Sequence, residues 1–562
     1  MRLHAIAVAA AALTAMTGCM ERAAPPPIAA PSTQRALSGG EIVGYVDPAN
    51  GAQVWLGLPF AVPPLGERRW RRPQSHPGWE GVREALFHGA PCPQITNALN
   101  AEATGAEPGA LVGSEDCLFL DVYAPPGAAP ADAGRPVMMW IHGGSNTWGS
   151  AAQYDGAQLA ADQDVVVVAV QYRLGPLGFF AHPALSGAPD EGAPANFALL
   201  DQIAALGWIR DNIGEFGGDP ANVTIFGESA GGHNVAALMA SPLAEGLFHR
   251  AIIQSGSFDS DPLEAARNGS EFAAIPAAER FAGPGAGAAA IRSADLQAVF
   301  DAYTINGPAL ELPRIIQDGV TLPDGPLADA FLSTETFSAV PVITGTTRDE
   351  MKLFNAFDPE LSSRLFGVIV RSRDAEFYDR TAQYQSRVWR ALAVDEAANR
   401  MTQGGHEDVW AYRFDWDEGG SMLFMDFSHL LGAAHAMEIP FVFNHFTFFG
   451  RLDGPLFNDQ NAAGRDALAG AMGAYWAEFA RTGDPGEAGG PAWPRWRSEG
   501  VLMRFDSPAD GGQEVITGPD SVDRILADLA ADTELDDAER CMVHARLEYW
   551  IDEGVPSAGI RC

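Results

Sequence analysis

Gly227-Glu228-Ser229-Ala230-Gly231 sets a hydroxyl among small residues, with an apolar run at 223–226 leading into it and helix-forming residues at 232–239 following. A tight strand-to-helix turn of this kind pushes the serine side chain out as a nucleophile, and small neighbours let the backbone fold that sharply. The N–H of Ala230 then faces the oxyanion that develops when the hydroxyl attacks a carbonyl. A second element supplies more donors. After the apolar run 137–141 comes His142-Gly143-Gly144-Ser145, whose glycines let backbone N–H groups approach a substrate oxygen. By position, the oxyanion donors are Gly144, Ser145 and Ala230, each contributing roughly 2.7–4 kcal/mol to transition-state stabilisation. The five-residue pattern is weak alone; its place between a strand and a helix gives it weight.

Such groups need a rigid scaffold, and the chain reads as one long α/β unit. Apolar, β-branched runs recur at 137–141, 165–172, 223–226, 251–254 and 340–344. Continuous runs such as 164–170 are expected where helices cover both faces of a parallel sheet. Between two of them, residues 196–212 have helical apolar spacing (Phe197, Leu200, Ile203, Ala204, Leu206, Trp208, Ile209), which predicts a strand, helix, strand crossover. Runs at 42–46 and 54–58 read as a leading antiparallel ribbon. Regions 259–337 and 358–400 read as helical, loop-rich insertions that form a lid rather than separate domains. No repeats are found, and the one linker is N-terminal.

Composition narrows the function classes. The chain has 562 residues with 36 basic and 72 acidic side chains, a net charge of −36. A nucleic-acid partner is excluded, because such proteins carry a cationic surface. The same sign opposes an electrostatic grip on anionic lipid. With 47% hydrophobic residues the chain can bury a large core. Lys352 is the only lysine, so nearly all positive charge is arginine.

Residues 1–18 read as an export signal: Arg2 and His4, an apolar run at 5–13, then small residues up to Cys19. That run is shorter than the roughly 20 residues needed to span a bilayer. The residues before Cys19 resemble the lipobox of bacterial lipoproteins, which implies lipidation of Cys19 and a periplasmic or outer-membrane lipoprotein; the alternative is ordinary cleavage and a soluble secreted product. Pro25, Pro26, Pro27 and Pro31 suit an extended tether over 19–38, leaving 39–562 as the folded domain. With Cys19 set aside, Cys92, Cys117, Cys541 and Cys562 remain. Local pairing is the simplest of their three connectivities, and an oxidising compartment permits it. No Cys/His cluster has zinc spacing, so neither metal nor cofactor is expected.

Several blocks carry a family resemblance. The stretch from Phe216-Gly217-Gly218-Asp219-Pro220 through Gly227-Glu228-Ser229-Ala230-Gly231-Gly232 resembles the serine signature of the type-B carboxylesterases, the cholinesterase-like branch of the α/β-hydrolases. Glu115-Asp116-Cys117-Leu118, continuing to Tyr123, resembles the second signature of that family. Tyr172-Arg173-Leu174-Gly175-Pro176, Asn196-Phe197 and Gln254-Ser255-Gly256 match further blocks, and His142-Gly143-Gly144-Ser145 resembles the oxyanion loop of esterases. The resemblance runs from about residue 40 to the C-terminal region. It implies an α/β-hydrolase fold, a mostly parallel sheet with helices on both faces and helical insertions over the site. It also implies a Cys92–Cys117 bridge, whereas Cys541–Cys562 rests on counting alone.

In this fold the triad runs Ser, then Asp or Glu, then His, which leaves His233, His249, His406, His429, His435, His445 and His544. His435, in Gly432-Ala433-Ala434-His435-Ala436-Met437-Glu438-Ile439-Pro440, resembles the family's histidine block, whereas His429 and His445 lack such context. The acid should follow the run 340–344, where Asp349 and Glu350 adjoin. The family uses the second, so Glu350 is expected to orient and charge-compensate His435; Asp349 suits a helix cap. By the same resemblance Ser255 supports the acid and Glu228 adds negative potential.

The resemblance implies a serine carboxylesterase acting through an acyl-enzyme on short-chain or aryl esters. A small-molecule ester is the expected partner, and membrane contact is expected only through the lipid anchor. The alternatives are a lipase for longer acyl chains and a catalytically inactive binding protein; the intact Ser229, Glu350 and His435 count against the latter. Trp148, Phe179, Phe180 and the aromatics of 441–449 either line a pocket or belong to the core.

Overall fold

The computed structural model describes residues 26–127, 134–186, 194–304, 315–365, 369–548 and 562. The signal-like segment and Cys19 lie outside the described residues. Among them the apolar runs assemble into an 11-stranded mixed sheet. In chain order its strands are β1 (Tyr45–Val46), β2 (Gln53–Pro59), β3 (Phe119–Ala124), β4 (Arg135–Ile141), β5 (Val166–Val170) and β6 (Gly218–Glu228). They continue with β7 (Arg250–Gln254), β8 (Val342–Thr347), β9 (Val409–Phe414), β10 (Leu502–Phe505) and β11 (Glu514–Ile516). Across the sheet the order is β11-β10-β9-β8-β7-β6-β4-β5-β3-β2-β1. Every pair from β10 to β5 is parallel, and both margins are antiparallel.

The unbroken apolar strands are explained by burial on both faces. Val137, Met139 and Ile141 of β4 enter one hydrophobic cluster with the helices Phe197–Asn212 and Ala230–Ala240, while Met138 and Trp140 enter a second with Ala157–Gln163 and Ala462–Thr482. β5 divides the same way, Val166, Val168 and Val170 to one side and Val167 and Ala169 to the other. The chain switches direction at β4, which has β5 on one flank and β6 on the other. Such a reversal opens a crevice at the carboxyl ends of the strands, and the loops after β4, β6 and β8 all leave from that end.

The structure corrects four local expectations. The leading ribbon divides: Tyr45–Val46 pairs with β2, but Gly40–Val43 joins Arg35–Leu37 and Val82–Glu84 in a separate small sheet. The tether does not extend to 38. Thr33 is fully buried, its carbonyl accepts the Trp55 indole N–H at 2.8 Å, and its hydroxyl accepts Gly44 N–H at 2.9 Å. The 358–400 region contains a hairpin, Ser362–Leu365 with Ile369–Ser372, before its helix Ala375–Arg390. The helix Phe197–Asn212 leaves Ile203, Ala204 and Trp208 only half-buried. It buries Asp201 instead, which grips Arg173 through two 2.7 Å hydrogen bonds.

At the C-terminal end, Val522–Ala531 and Asp537–Leu547 pack Ile525, Leu529, Val543 and Leu547 against Tyr384 and Val388 of Ala375–Arg390. Both disulfides close locally, Cys92 with Cys117 and Cys541 with Cys562, at Cα separations of 4.9 and 5.5 Å. Among the described residues no helix is long and apolar enough to cross a membrane.

Candidate active site

Ser229 stands between β6 and the helix Ala230–Ala240 with φ 57° and ψ −125°. A non-glycine residue held there costs roughly 1–3 kcal/mol, which the surrounding packing must offset. The flanking glycines explain how. A Cβ on Gly227 would meet the Ile141 carbonyl at 2.6 Å, and one on Gly231 would strike the same carbonyl. The helix therefore starts directly against the end of β4. That contact brings the 142–145 loop beside the serine. A Cβ on Gly143 would stand 3.1 Å from the Ser229 Cβ.

The loop itself is wound tightly. Gly144, Ser145 and Asn146 have φ of 98°, 55° and 55°, and the Gly144 carbonyl accepts the N–H groups of Thr147 and Trp148. Among the described residues, the N–H groups of Gly144, Ser145 and Ala230 donate to no protein acceptor, which leaves them available to a substrate oxygen. His142 serves as a strut: its ring stacks 4.5 Å from Tyr172, and the Tyr172 hydroxyl donates to its carbonyl at 2.6 Å. Burial pulls its pKa down to about 4, so it is uncharged at neutral pH. Asn146 and Asn234 exchange two side-chain hydrogen bonds, 3.1 and 2.8 Å, tying the loop to the nucleophile helix. Neither asparagine carried a signal in the sequence.

The acid and base meet across the ends of β7 and β8. Glu350 is fully buried; its Oε2 lies 2.6 Å from His435 Nδ1. Its Oε1 accepts from Ser255 Oγ at 2.5 Å, Thr346 Oγ1 at 2.6 Å and Thr347 N at 2.7 Å. Burial opposes the charge, but His435 and these donors outweigh it and hold the pKa below the usual carboxylate value. Ser255 thus touches Glu350 directly, and Thr346 is an added support that the sequence reading missed. Asp349 does not cap the helix Lys352–Asn355, which has no side-chain cap; it pins the histidine loop instead, its N–H donating to the Ala433 carbonyl and its Oδ2 accepting Ala433 N–H at 3.1 Å.

His435 faces a second carboxylate. Its Nε2 lies 3.1 Å from Glu228 Oε1, and no hydrogen bond joins it to Ser229 in this structure. Glu228 is 3% exposed, and burial raises its pKa well above normal, an effect that the His435 charge opposes and that Glu438 and Glu350 reinforce. Glu438 is fully buried; its pKa is pushed up to about 7, by burial first and then by Glu350. Burial would lower the His435 pKa, but the charges of Glu228 and Glu350 outweigh it and raise it to about 9. Two aromatic rings complete the surroundings, Trp389 at 4.9 Å and Phe354 at 5.3 Å from the imidazole. The rival histidines are engaged elsewhere, His429 with Ser372 and Asp379, His445 with Thr447. Phe179, Phe180, Phe441 and Phe443 are core.

This geometry yields a pH prediction. A general base must be uncharged to accept a proton, so a negative neighbour that raises its pKa confines activity to higher pH. Buried Glu228 carries its charge as the counter-ion of protonated His435, so the two titrate as a pair; Glu228→Gln removes that counter-ion, and the acid limb of kcat/KM is expected to move to lower pH by on the order of 1–2 units. Initial rates with a soluble aryl ester between pH 5 and 10 measure it; an unmoved limb means Glu228 is not felt by His435.

The sequence profile of the carboxylesterase family matches residues 31–392 and 368–514. The para-nitrobenzyl esterase of Bacillus subtilis (strain 168) is 34% identical over 488 residues, covering 82% of this chain and 92% of its own. Cocaine esterase of Homo sapiens is 34% identical over 523 residues, covering 85% and 88%. The crystal structure of a Geobacillus stearothermophilus carboxylesterase superposes with a TM-score of 0.67 at 30% identity, covering 87% of this chain and 98% of that one.

Proposed function

The chain belongs to the carboxylesterase family and hydrolyses carboxylic esters, and we propose that it does so through an acyl-enzyme on Ser229, with His435 as base and acid and Glu350 orienting it. One observation carries the assignment. His435 is held at Nδ1 by a buried carboxylate whose other oxygen is fixed by three donors, beside a serine on a strained turn. In the reaction Ser229 Oγ turns to His435 Nε2, gives up its proton and attacks the ester carbonyl. Gly144, Ser145 and Ala230 donate to the resulting oxyanion. Glu350 balances the imidazolium, which then protonates the departing alcohol. Water, deprotonated by the same imidazole, releases the acid and restores the serine.

The substrates are short-chain or aryl esters. The aromatic rings of Trp389 and Phe354 beside His435 support an apolar, flat group at the site, and Ser145, where the oxyanion loop of esterases has a third glycine, narrows the space above the nucleophile. The protein is exported and tethered through lipid on Cys19. The signal-like 1–18 segment supports this reading, as do the two disulfides.

An aryl dialkyl phosphate tests the chemistry. It is expected to release one aryl alcohol per chain and leave a dialkylphosphoryl mass on the peptide containing Ser229, with neither event in Ser229→Ala. A label on any other residue, or no label, would overturn the assignment.

A further inference from the structure

A departure from local backbone rules lies outside the catalytic groups, in the turn joining the short strands Ser421–Met422 and Met425–Asp426. Both residues of this turn, Leu423 and Phe424, have positive φ, 48° and 70°. Two-residue hairpin turns ordinarily give that conformation to asparagine and glycine. Burial does not compensate, since Leu423 is 51% exposed and Phe424 82%. Two large apolar side chains kept in water on unfavourable backbone point to contact with something outside the fold.

Their surroundings say what. The hairpin Ser362–Leu365 with Ile369–Ser372 packs alongside: Val370 N–H donates to Met425 Sδ at 3.3 Å, and the Arg371 guanidinium lies over the Phe424 ring at 5.8 Å. Arg364 lies in the same way over Phe357, at 5.2 Å. Phe357, Leu365 and Phe354 are themselves exposed, and the Phe354 ring lies tilted beside His435 at 5.3 Å. The path of the chain ties this rim to the site. The 421–426 hairpin runs directly into the helix Phe427–Leu430 and the histidine loop, and the segment carrying Phe354, Phe357 and Leu365 leaves from the acid loop.

We propose that this rim is a docking surface for a phospholipid bilayer. Leu423 and Phe424 enter the acyl-chain boundary, Arg364 and Arg371 meet the phosphates, and the site is thereby turned toward esters dissolved in the lipid. Charge complementarity favours lipid phosphate as the occupant. In a chain of net charge −36, the side chains stacked on these exposed rings are arginines, with the cation above an apolar ring as at a head-group boundary. Two acids border the turn, Asp426, which accepts from Ser428 N and Oγ, and Asp459 in the cleft beside Phe424, so the phosphates are met on the side of Arg364 and Arg371. A lipid on Cys19, shortly before the first described residue, would hold a bilayer within reach without orienting the enzyme. Docking supplies the orientation. The proposal rests on the ester-hydrolase reading for what the docked site does, not for docking itself.

The test uses the full chain with Cys19→Ser, so that no anchor contributes, and vesicles of phosphatidylcholine alone or mixed with phosphatidylglycerol. Leu423→Asn with Phe424→Gly installs the residues the turn conformation prefers, so the variant keeps its fold. Expected are vesicle co-sedimentation by the parent, partition weakened about tenfold or more in the variant, and slower hydrolysis of a long-chain aryl ester held in the vesicles. Turnover of p-nitrophenyl acetate in solution stays unchanged. Arg364→Gln with Arg371→Gln is expected to weaken binding to the mixed vesicles. Equal partition of parent and variant, or no binding by the parent, overturns the proposal. So does a concentration-dependent dimer that the turn variant dissolves, because a second copy would then occupy the surface. Vesicle binding that survives alongside a complete lack of ester turnover would sink the catalytic reading and leave docking standing.

Discussion

Ser229→Ala lowers kcat for p-nitrophenyl acetate by about a millionfold, His435→Ala does so by a similar factor, and the double variant loses no more than either alone. The two side chains act as one mechanistic unit. The hydroxyl is a nucleophile only while an imidazole takes its proton, and the imidazole has nothing to deprotonate once the hydroxyl is gone. Removing either ends the same step, so the losses do not multiply. A millionfold is about 8 kcal/mol of barrier. The backbone donors Gly144, Ser145 and Ala230 survive both substitutions, so a residual acceleration of roughly 10³–10⁴ over water is expected. Single-turnover rates on highly purified variants measure this. A Ser229→Ala protein that keeps a percent of its activity, or a double variant whose loss is the product of the singles, would remove Ser229 and His435 from a shared step.

The nucleophile was legible in the sequence because its geometry is local. Gly227, Ser229 and Gly231 are consecutive in effect, and the strand and helix that strain Ser229 are the residues on either side. The strands were legible for a similar reason, since burial on both faces leaves β4 and β5 unbroken apolar runs. What escaped depends on contacts between distant residues. Asn146 and Asn234 lock the oxyanion loop to the nucleophile helix across 88 positions, and nothing in either neighbourhood announces the other. Trp389 reaches His435 from a helix that reads as a polar insertion. The 362–372 hairpin is Ser- and Arg-rich at its ends and lacks a strand's alternation, so its pairing is a matter of tertiary packing. Proline content suggested a tether through 38, but one indole-to-carbonyl bond from Trp55 draws Thr33 into the core. Even at the site, residue types gave Glu228 a field and not a place. Its 3.1 Å approach to His435 Nε2 is fixed by the sharpness of the turn at Ser229.

Glu350→Gln is expected to lower kcat about 10⁴-fold while leaving the fold intact, and the reason lies in its three donors. A glutamine at this position has one oxygen and one NH₂ to distribute between two sites. At the Oε1 site it meets Ser255 Oγ, Thr346 Oγ1 and Thr347 N. The two hydroxyls can turn, but the Thr347 N–H is part of the backbone and can only donate. The amide oxygen must therefore stay there, which drives the NH₂ toward His435 Nδ1. An NH₂ at 2.6 Å from that nitrogen makes Nδ1 an acceptor and puts the ring proton on Nε2. Nε2 is then a donor, unable to take the proton of Ser229, and the imidazole is held in the wrong tautomer for a base. Because the cavity is filled and its hydrogen bonds are kept, the thermal midpoint should change little while the rate collapses. Thr346→Val combined with Glu350→Gln leaves the Thr347 N–H in place and should recover nothing. A Glu350→Gln enzyme within tenfold of the parent rate would show that Glu350 does not set the tautomer of His435.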